Sequence, residues 1–328
     1  MKMIGDAFEG RGVHSSLLEW RYPKRNLAQE IMFYSSAGYR SSIADVQDKA
    51  NAVELEKAVL KEDPDLVLVV KAVELTDKTK QHCIDSGTKL VLWAYDSATQ
   101  FPIISRAAPR YDLVYTYEPA DLSILSAVCK PRLLPMAFDP RYYSRRADEK
   151  EKDIDVCFIG AIDPYPQRRR LFKLLSNRLK NRGIAIWTDT VHWYSHRKVR
   201  DMFLFGARRN VQLHRETLEH GAINDIYNRS KVCLNIHHVQ SVKAVNPRTF
   251  EILGSGCLLL TDRRLDEIEG FETGEGYLHY GNDAELVDTI DSLLKDDEKA
   301  ARIADIGHSK GMVHTYENRA KTILKDLG

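Results

Sequence analysis

The sequence predicts an α/β protein of two doubly wound parallel-sheet domains. Short β-branched runs alternate with longer amphipathic stretches, as strands joined by crossover helices do, and the alternation occurs twice along the chain. At 328 residues the chain is too long for one ordinary core and fits two domains of about 150 residues each. Hydrophobic residues at 43% and charged residues at 29% set aside a disordered or fibrous protein.

The opening MKMIGD reads as a first strand. A helix is predicted over residues 45–61, with Val46, Ala50, Val53, Leu55 and Leu60 as its apolar stripe and Asp63-Pro64 as its stop. LVLVV (66–70), KLVLW (89–93) and DLVYT (112–116) follow as strands, each apolar enough to be buried on both faces. Near Pro140 the pattern breaks into RYYSRRADEKEKD, which suits an exposed connection between domains. The second half restarts with IDVCFIG (154–160), a basic helix from about Gln167, and the strands IAIW, VQLH, VCLNI and CLLLT. Helices over 283–294, 297–314 and 316–327 close the chain, the last able to pack back on the first domain. The expected division is a first domain over 1–140, a linker over 141–153, a second domain over 154–315 and a terminal helix over 316–328.

Lys and Arg number 48 against 47 Asp and Glu, so no global pull toward nucleic acid or anionic membrane is expected and any anion site must be local. The start lacks the apolar core of a signal peptide and no run reaches the ~18 apolar residues of a membrane span. A cytoplasmic protein is expected. Its five cysteines, Cys83, Cys129, Cys157, Cys233 and Cys257, are odd in number and show no CxxC spacing, which predicts reduced, buried thiols.

Ligands of doubly wound sheets bind at strand carboxyl ends, where loops meet helix N-termini. After VCLNI comes HHVQSVKAVNPRTFEILGSG, which gathers Lys243, Asn246, Arg248 and Glu251 around the start of a helix. Pro247 suits the first helical position, with Asn246 as its cap. Arg248 and Glu251, three apart, share a helix face. Either they hold two ends of a nucleoside diphosphate, Arg on phosphate and Glu on ribose hydroxyls, or they form an exposed ion pair on an ordinary helix. Gly254 and Gly256 end that helix, as glycines do in any α/β protein.

NPRTFEILGSGCLLLTD, with GEGYLHYGNDAELVDTIDSLLKDDEKAARIADIGHSKGMVHTYENRAKTIL after it, resembles the C-terminal domain of the CgeB-like group 1 glycosyltransferases. The first half agrees through DPDLVLVV, KLVLWAYDS, APRYDLVYT, LLPMAFDPRYY and DVCFIGAIDPYPQRRRLF. The resemblance implies a GT-B fold: two facing Rossmann-like domains, acceptor side first, with a cleft between them and a C-terminal helix that can cross back. It implies transfer of a sugar from a nucleotide-diphosphate sugar to a hydroxyl acceptor and leaves that acceptor open, a glycan, a small molecule or a modified base in DNA; with no carboxylate cage in the sequence, no metal and no cofactor beyond that donor are expected. A non-catalytic nucleotide-sugar-binding protein stays open beside it. By the same resemblance Glu251 meets the donor ribose, Arg248 lies along the diphosphate, and Gly160 lets its loop approach the phosphates, with Arg168 the foremost of the three arginines that follow. Lys243 stands where larger retaining families carry a second glutamate, so retention is not implied.

GDAFEGRGVHSS resembles the glycine-rich loop of such acceptor domains and contains His14. His14 and Asp96, the latter at the end of KLVLWAYD, are the two candidates to deprotonate an acceptor; a loop histidine and a helix cap are the plain alternatives. Several patterns are set aside. Asp63-Pro64-Asp65 and Asp153-Ile154-Asp155 spell DxD but precede strands, at the wrong end for a metal site. His192 and His196 lack the glutamate of a zinc protease. His237 and His238 point oppositely on a strand end and cannot chelate one ion, although one can touch phosphate, and His238 is grouped with the donor residues. The basic run SHRKVRDMFLFGARRN reads as a solvated face.

Overall fold

The computed structural model describes residues 2–19, 37–147, 152–162, 165–188, 210–237, 242–265, 268 and 270–328. The chain forms two compact units, the first of Met1–Pro135, Gln240–Ala244 and Arg319–Gly328, the second of Met136–Val239 and Val245–Asn318.

Unit 1 is built on a four-stranded parallel sheet in the order β1 (Leu66–Val70), β2 (Lys89–Ala94), β3 (Leu113–Thr116), β4 (Pro131–Leu133). Leu90 to Ala94 are all buried, as an unbroken apolar run covered on both faces requires. The opening segment is not a strand but a helix, α1 (Lys2–Glu9). Its two buried side chains, Ile4 and Phe8, are four apart and share a helical face, a spacing that six residues of sequence were too few to separate from alternation. The next helix, α2 (Ala37–Glu62), starts earlier than predicted and buries only part of the predicted stripe. Ala52, Leu55 and Val59 are buried, while Val46 and Val53 are 68% and 46% exposed. Thr76 caps α3 (Asp77–Ser86) by accepting from the Thr79 N–H, and short helices α4 (Ile103–Ala107) and α5 (Asp121–Leu125) follow β2 and β3. The last helix, α11 (Tyr316–Leu327), returns to this unit over its final turns. There Ala320 and Ile323 are fully buried, Asp326 accepts from the Tyr115 hydroxyl (2.5 Å) and Arg132 (2.6 Å), and Arg319 Nε donates to the Pro135 carbonyl at 2.8 Å.

Unit 2 carries a six-stranded parallel sheet in the order β10-β9-β8-β5-β6-β7. The strands are β5 (Ile154–Ile159), β6 (Ile184–Thr188), β7 (Val211–Arg215), β8 (Ser230–Asn235), β9 (Leu259–Thr261) and β10 (Leu278–His279). Its helices are α6 (Pro166–Arg178), α7 (His220–Asn228), α8 (Pro247–Gly254), α9 (Asp283–Leu293) and α10 (Asp297–Gly311). Val156, Phe158, Val232, Leu234 and Leu260 of the sheet pack with Phe172, Leu175, Leu286, Ile290 and Ile303 of the helices. The cysteines are all thiols; Cys157 and Cys233 lie opposite each other on β5 and β8 with sulfurs 3.5 Å apart.

Two glycines here do more than end a helix. A Cβ at Gly254, the last residue of α8, would stand 2.2 Å from the Phe138 ring, and one at Gly307 in α10 would stand 2.1 Å from the Gly276 carbonyl oxygen. Neither contact tolerates a side chain. The charged stretch after Pro140 is likewise not a bare tether. Tyr143 is buried, Arg145 pairs with Asp305 at 2.6 Å, Arg146 pairs with Asp225, and the Ser144 and Arg146 N–H groups donate to Asn224 and Asn228 of α7. Among the described residues no helix is long and apolar enough to cross a membrane.

Candidate functional site

The strand order of unit 2 reverses between β5 and β8, and the crevice beyond their carboxyl ends is where such a sheet accepts ligands. Two arginines are laced to the main chain there. Arg168, in the first turn of α6, donates Nη1 to the Ala161 carbonyl at 2.6 Å and Nη2 to the Ile236 carbonyl, so one guanidinium bridges the ends of both strands. Its plane lies over the Tyr165 ring at 4.5 Å. Arg248, in the first turn of α8, donates Nε to the Ile159 carbonyl at 2.5 Å. Gly160 sits between these anchors; a Cβ there would come within 3.0 Å of Phe158 and 3.7 Å of Arg168 Nη1. Burial, with the Arg248 charge adding to it, pulls the Arg168 pKa below the usual guanidinium value, and Tyr165 opposes the shift. A guanidinium starts so high that Arg168 stays cationic at neutral pH.

Asn246 caps α8 as the sequence predicts, accepting from the Thr249 N–H, with Pro247 at the first helical position. Its amide also exchanges hydrogen bonds with Asn235 at the end of β8, at 2.9 and 3.2 Å. The side chain therefore fixes the start of the helix to the sheet. Glu251, one turn on, keeps partial exposure although protein atoms crowd its carboxyl group. Burial raises its pKa above the ordinary carboxylate value, against the opposing pull of Arg248, His220 and a hydrogen bond from Tyr143. The Tyr143 hydroxyl lies 2.7 Å from His220 Nδ1, and the Tyr142 ring stands 5.1 Å from the same imidazole. Tyr143 and His220 carried no signal in the sequence, because 77 residues separate them.

Lys243 is exposed, and its backbone belongs to unit 1. There Glu118, 0% exposed at the end of the loop after β3, accepts from the Val242, Lys243 and Ala244 N–H groups at 2.8, 2.9 and 3.2 Å and from Ala120 at 3.2 Å. His238 lies outside the described residues, as do His192, His196 and most of the basic run after them.

Within unit 1 the two acceptor-side candidates are not brought together. Asp96 follows β2 at its carboxyl end, 3.6 Å from Lys71 Nζ, and the next helix is capped at Pro102, so Asp96 is no helix cap. Lys71, at the end of β1, is held at φ +71°, a left-handed conformation costly for a lysine. Asp121, fully buried, shapes the loop beyond by accepting from Ser97 Oγ (2.9 Å) and the Ala98 N–H (2.6 Å). His14 is exposed and lies within electrostatic reach of Glu62, which closes α2 before the amino end of β1, the opposite end of the sheet. The stretch read as a glycine-rich loop is helical through Glu9.

The two DxD triplets sit at strand amino ends and have other partners. Asp63 meets His82 at 2.9 Å, Asp153 takes a fork from Arg229, and Asp155 accepts the Gly183 N–H at 2.8 Å. Among the described residues no group of three or more His, Cys, Asp or Glu is placed to hold a metal ion.

Residues 167–325 match the family model Glyco_trans_1_2, described as glycosyl transferase-like. The matched stretch runs from α6 into α11 and contains Arg168, Lys243, Asn246, Arg248 and Glu251. No curated protein matches the chain by sequence. Among solved structures, sucrose-phosphate synthase from Thermosynechococcus elongatus is similar at 13% identity and a TM-score of 0.67, over 99% of this chain and 90% of that one. The Anabaena protein HepE in complex with UDP-glucose is similar at 12% identity and a TM-score of 0.61, over 94% and 97%. A glycosyltransferase from Rickettsia africae is similar at 10% identity and a TM-score of 0.62, over 98% and 86%. At these identities the likeness is one of fold, and that fold is GT-B, with two parallel-sheet α/β domains.

Proposed function

We propose that this GT-B chain, glycosyl transferase-like over residues 167–325, moves a sugar from a nucleoside-diphosphate sugar to a hydroxyl acceptor without a metal or other cofactor. The observation that carries the reading is the pair Arg168 and Arg248, tied to the Ala161, Ile236 and Ile159 carbonyls on both sides of the β5–β8 switch point. Two fixed cations suit a diphosphate, and they meet the charge that grows on it as its bond to the anomeric carbon breaks. We assign Glu251 to the ribose hydroxyls, Lys243 to added positive charge and His238 to the donor phosphate. For the acceptor proton we assign Asp96 ahead of His14, since Asp96 ends a strand at its carboxyl edge. The acceptor is a glycan or small molecule, or a modified base in DNA, and the activity is cytoplasmic.

A thermal-shift screen of UDP, GDP, dTDP, CDP and CMP sugars tests the donor. A ligand at 100-fold its Kd adds about 2.7 kcal/mol of stability. A screen in which none of them stabilises the protein would sink the reading. The stabilising donor, incubated with candidate acceptors, then separates transfer from a non-catalytic binding protein, which returns the donor unchanged.

Donor turnover is expected to survive EDTA, because the arginines neutralise the diphosphate. Activity abolished by the chelator and restored by Mg²⁺ or Mn²⁺ would show otherwise.

Glu251→Gln is expected to separate stability from binding. The Glu251 pKa is raised on folding, so its destabilising effect is absent below the ordinary carboxylate value, where both states are protonated, and appears as pH rises through the folded value. Above that window the glutamine variant should unfold no more easily than the parent, yet bind donor more weakly with kcat close to unchanged, since ribose contacts alter little during reaction. Equal affinity in parent and variant by calorimetry removes Glu251 from the donor site.

A further inference from the structure

Beside Arg168 the second unit holds a buried histidine that the proposed reaction leaves without a task. His237 follows β8, and its side chain is 1% exposed. Its backbone N–H donates to both carboxylate oxygens of Asp262, at 3.0 and 3.1 Å, and its Nδ1 lies 2.8 Å from Asp262 Oδ1. Burial works against an ionised Asp262, but the hydrogen bonds from His237, together with Arg263, outweigh it and hold the carboxyl below its ordinary pKa. An ionised carboxylate only accepts, so Nδ1 carries the ring hydrogen and Nε2 is left as a bare lone pair. That Nε2 is buried without a partner.

Two more buried polar atoms of the same region are unpartnered: Arg168 Nε and the Tyr280 hydroxyl. The other two nitrogens of Arg168 are engaged, one of them on the carbonyl of Ile236, the residue before His237. Tyr280 follows β10 and lies within electrostatic reach of Asp262, Asp283 and Arg168. The three atoms thus come from α6 and from the carboxyl ends of β8 and β10. Buried polar atoms nearly always have partners; here the orphans of His237 and Tyr280 both lie within electrostatic reach of Asp262 and of Arg168, which carries the third.

The chemistry of these atoms selects what they would bind. Arg168 Nε–H and the Tyr280 O–H are donors, and the surrounding cations Arg168, Arg248 and Arg263 outnumber the carboxylates Asp262 and Asp283, which calls for an anionic oxygen. Only the bare Nε2 is mismatched to it. A proton on Nε2 removes the mismatch and leaves an imidazolium between the Asp262 carboxylate and the anion.

Resting on the donor reading above, we infer that Arg168, His237 and Tyr280 close on one phosphate of the nucleotide sugar, and that His237 takes up a proton from solvent as it binds. Without ligand, burial, helped by Arg263 and Arg168 and opposed by Asp262, holds the His237 pKa below that of an ordinary histidine, so the ring is neutral at pH 7.5. The anion then raises that pKa, and donor affinity falls as pH rises through the bound value. A buried water would partner the same three atoms and involves no proton.

The test is calorimetry at pH 7.5 in two buffers of different ionisation enthalpy. The probe is UDP-glucose, whose diphosphate diester does not titrate near neutrality, or the GDP, dTDP or CDP sugar that stabilises the protein in its place. Net proton uptake is expected for the parent and none for His237→Gln, which also binds more weakly. Because His237 is buried, Tyr280→Phe serves as the second variant. It removes an unpaired buried hydroxyl, so its melting temperature should not fall, while binding weakens roughly tenfold. Binding without proton uptake, uptake that persists in His237→Gln, or unchanged affinity in Tyr280→Phe each overturns the inference while leaving the donor reading intact. If none of these sugar nucleotides binds the parent, the donor reading falls and takes the inference with it.

Discussion

Arg248→Ala is expected to lower kcat/KM for the donor by about 100-fold or more, with both affinity and turnover reduced, the loss typical of removing one preorganised group from a developing negative charge. The reason lies in how the side chain is held. Nε bonds to the Ile159 carbonyl, which fixes the guanidinium plane at the end of β5 before any ligand arrives. A cation set in place beforehand binds the ground-state diphosphate and stabilises the leaving group more, because the charge there increases as the glycosidic bond breaks. Arg248→Lys should recover only part of the loss, since an ammonium retains charge but not the planar fork. If Arg248 belonged only to a helix-surface ion pair with Glu251, the substitution would cost at most about 1 kcal/mol of stability and leave the donor untouched. Steady-state kinetics with calorimetry of the nucleoside diphosphate separates the two, and unchanged affinity would refute the placement of the diphosphate.

Ile323→Ala is expected to destabilise the protein by about 3 kcal/mol, although the residue lies five from the C-terminus. Ile323 is fully buried on the face of α11 that returns to unit 1, next to the Tyr115–Asp326–Arg132 group. Truncating it leaves a cavity beside fixed strands. Lys321→Ala on the exposed face of the same helix should stay within about 0.5 kcal/mol. Urea unfolding of the pair decides, and equal transitions would show that the terminal helix is dispensable to the unit.

Much of this fold could be read from the sequence because central parallel strands are continuous apolar runs. LVLVV, KLVLW and IDVCFI announce themselves whatever surrounds them. The cap at Asn246 and the helix after it were equally plain, since Asn-Pro is a local signal. What failed was short or depended on tertiary context. Six residues at the start could not distinguish Ile4 and Phe8 on a helix from alternation in a strand. Of the predicted stripe Leu55 was right, but the core took it with Ala52 and Val59 and left Val46 and Val53 exposed. The site divides in the same way. Arg248 and Glu251 were visible as neighbours on one helix, whereas Asp262 with His237, and Glu118 with the amides of residues 242–244, meet across 25 and at least 124 residues and leave no mark in any local window. His14 looked suitable because its surroundings are rich in glycine; its place near Glu62 is a matter of topology.

The contacts of Gly254 and Gly307 bear on the thermodynamics of recognition. With Phe138 lying on Gly254, the Gly276 carbonyl against Gly307 and Leu253 of α8 pressed on Gly307 and Gly311, α8 and α10 are seated by close contacts at glycines that leave no room for a side chain. Surfaces so close have almost no alternative packings, so α8 holds one position and carries Asn246, Arg248 and Glu251 with it. A ligand arriving at that helix does not have to freeze it. The entropy of ordering this part of the site is lost once, when the chain folds, and is absent from every later binding event.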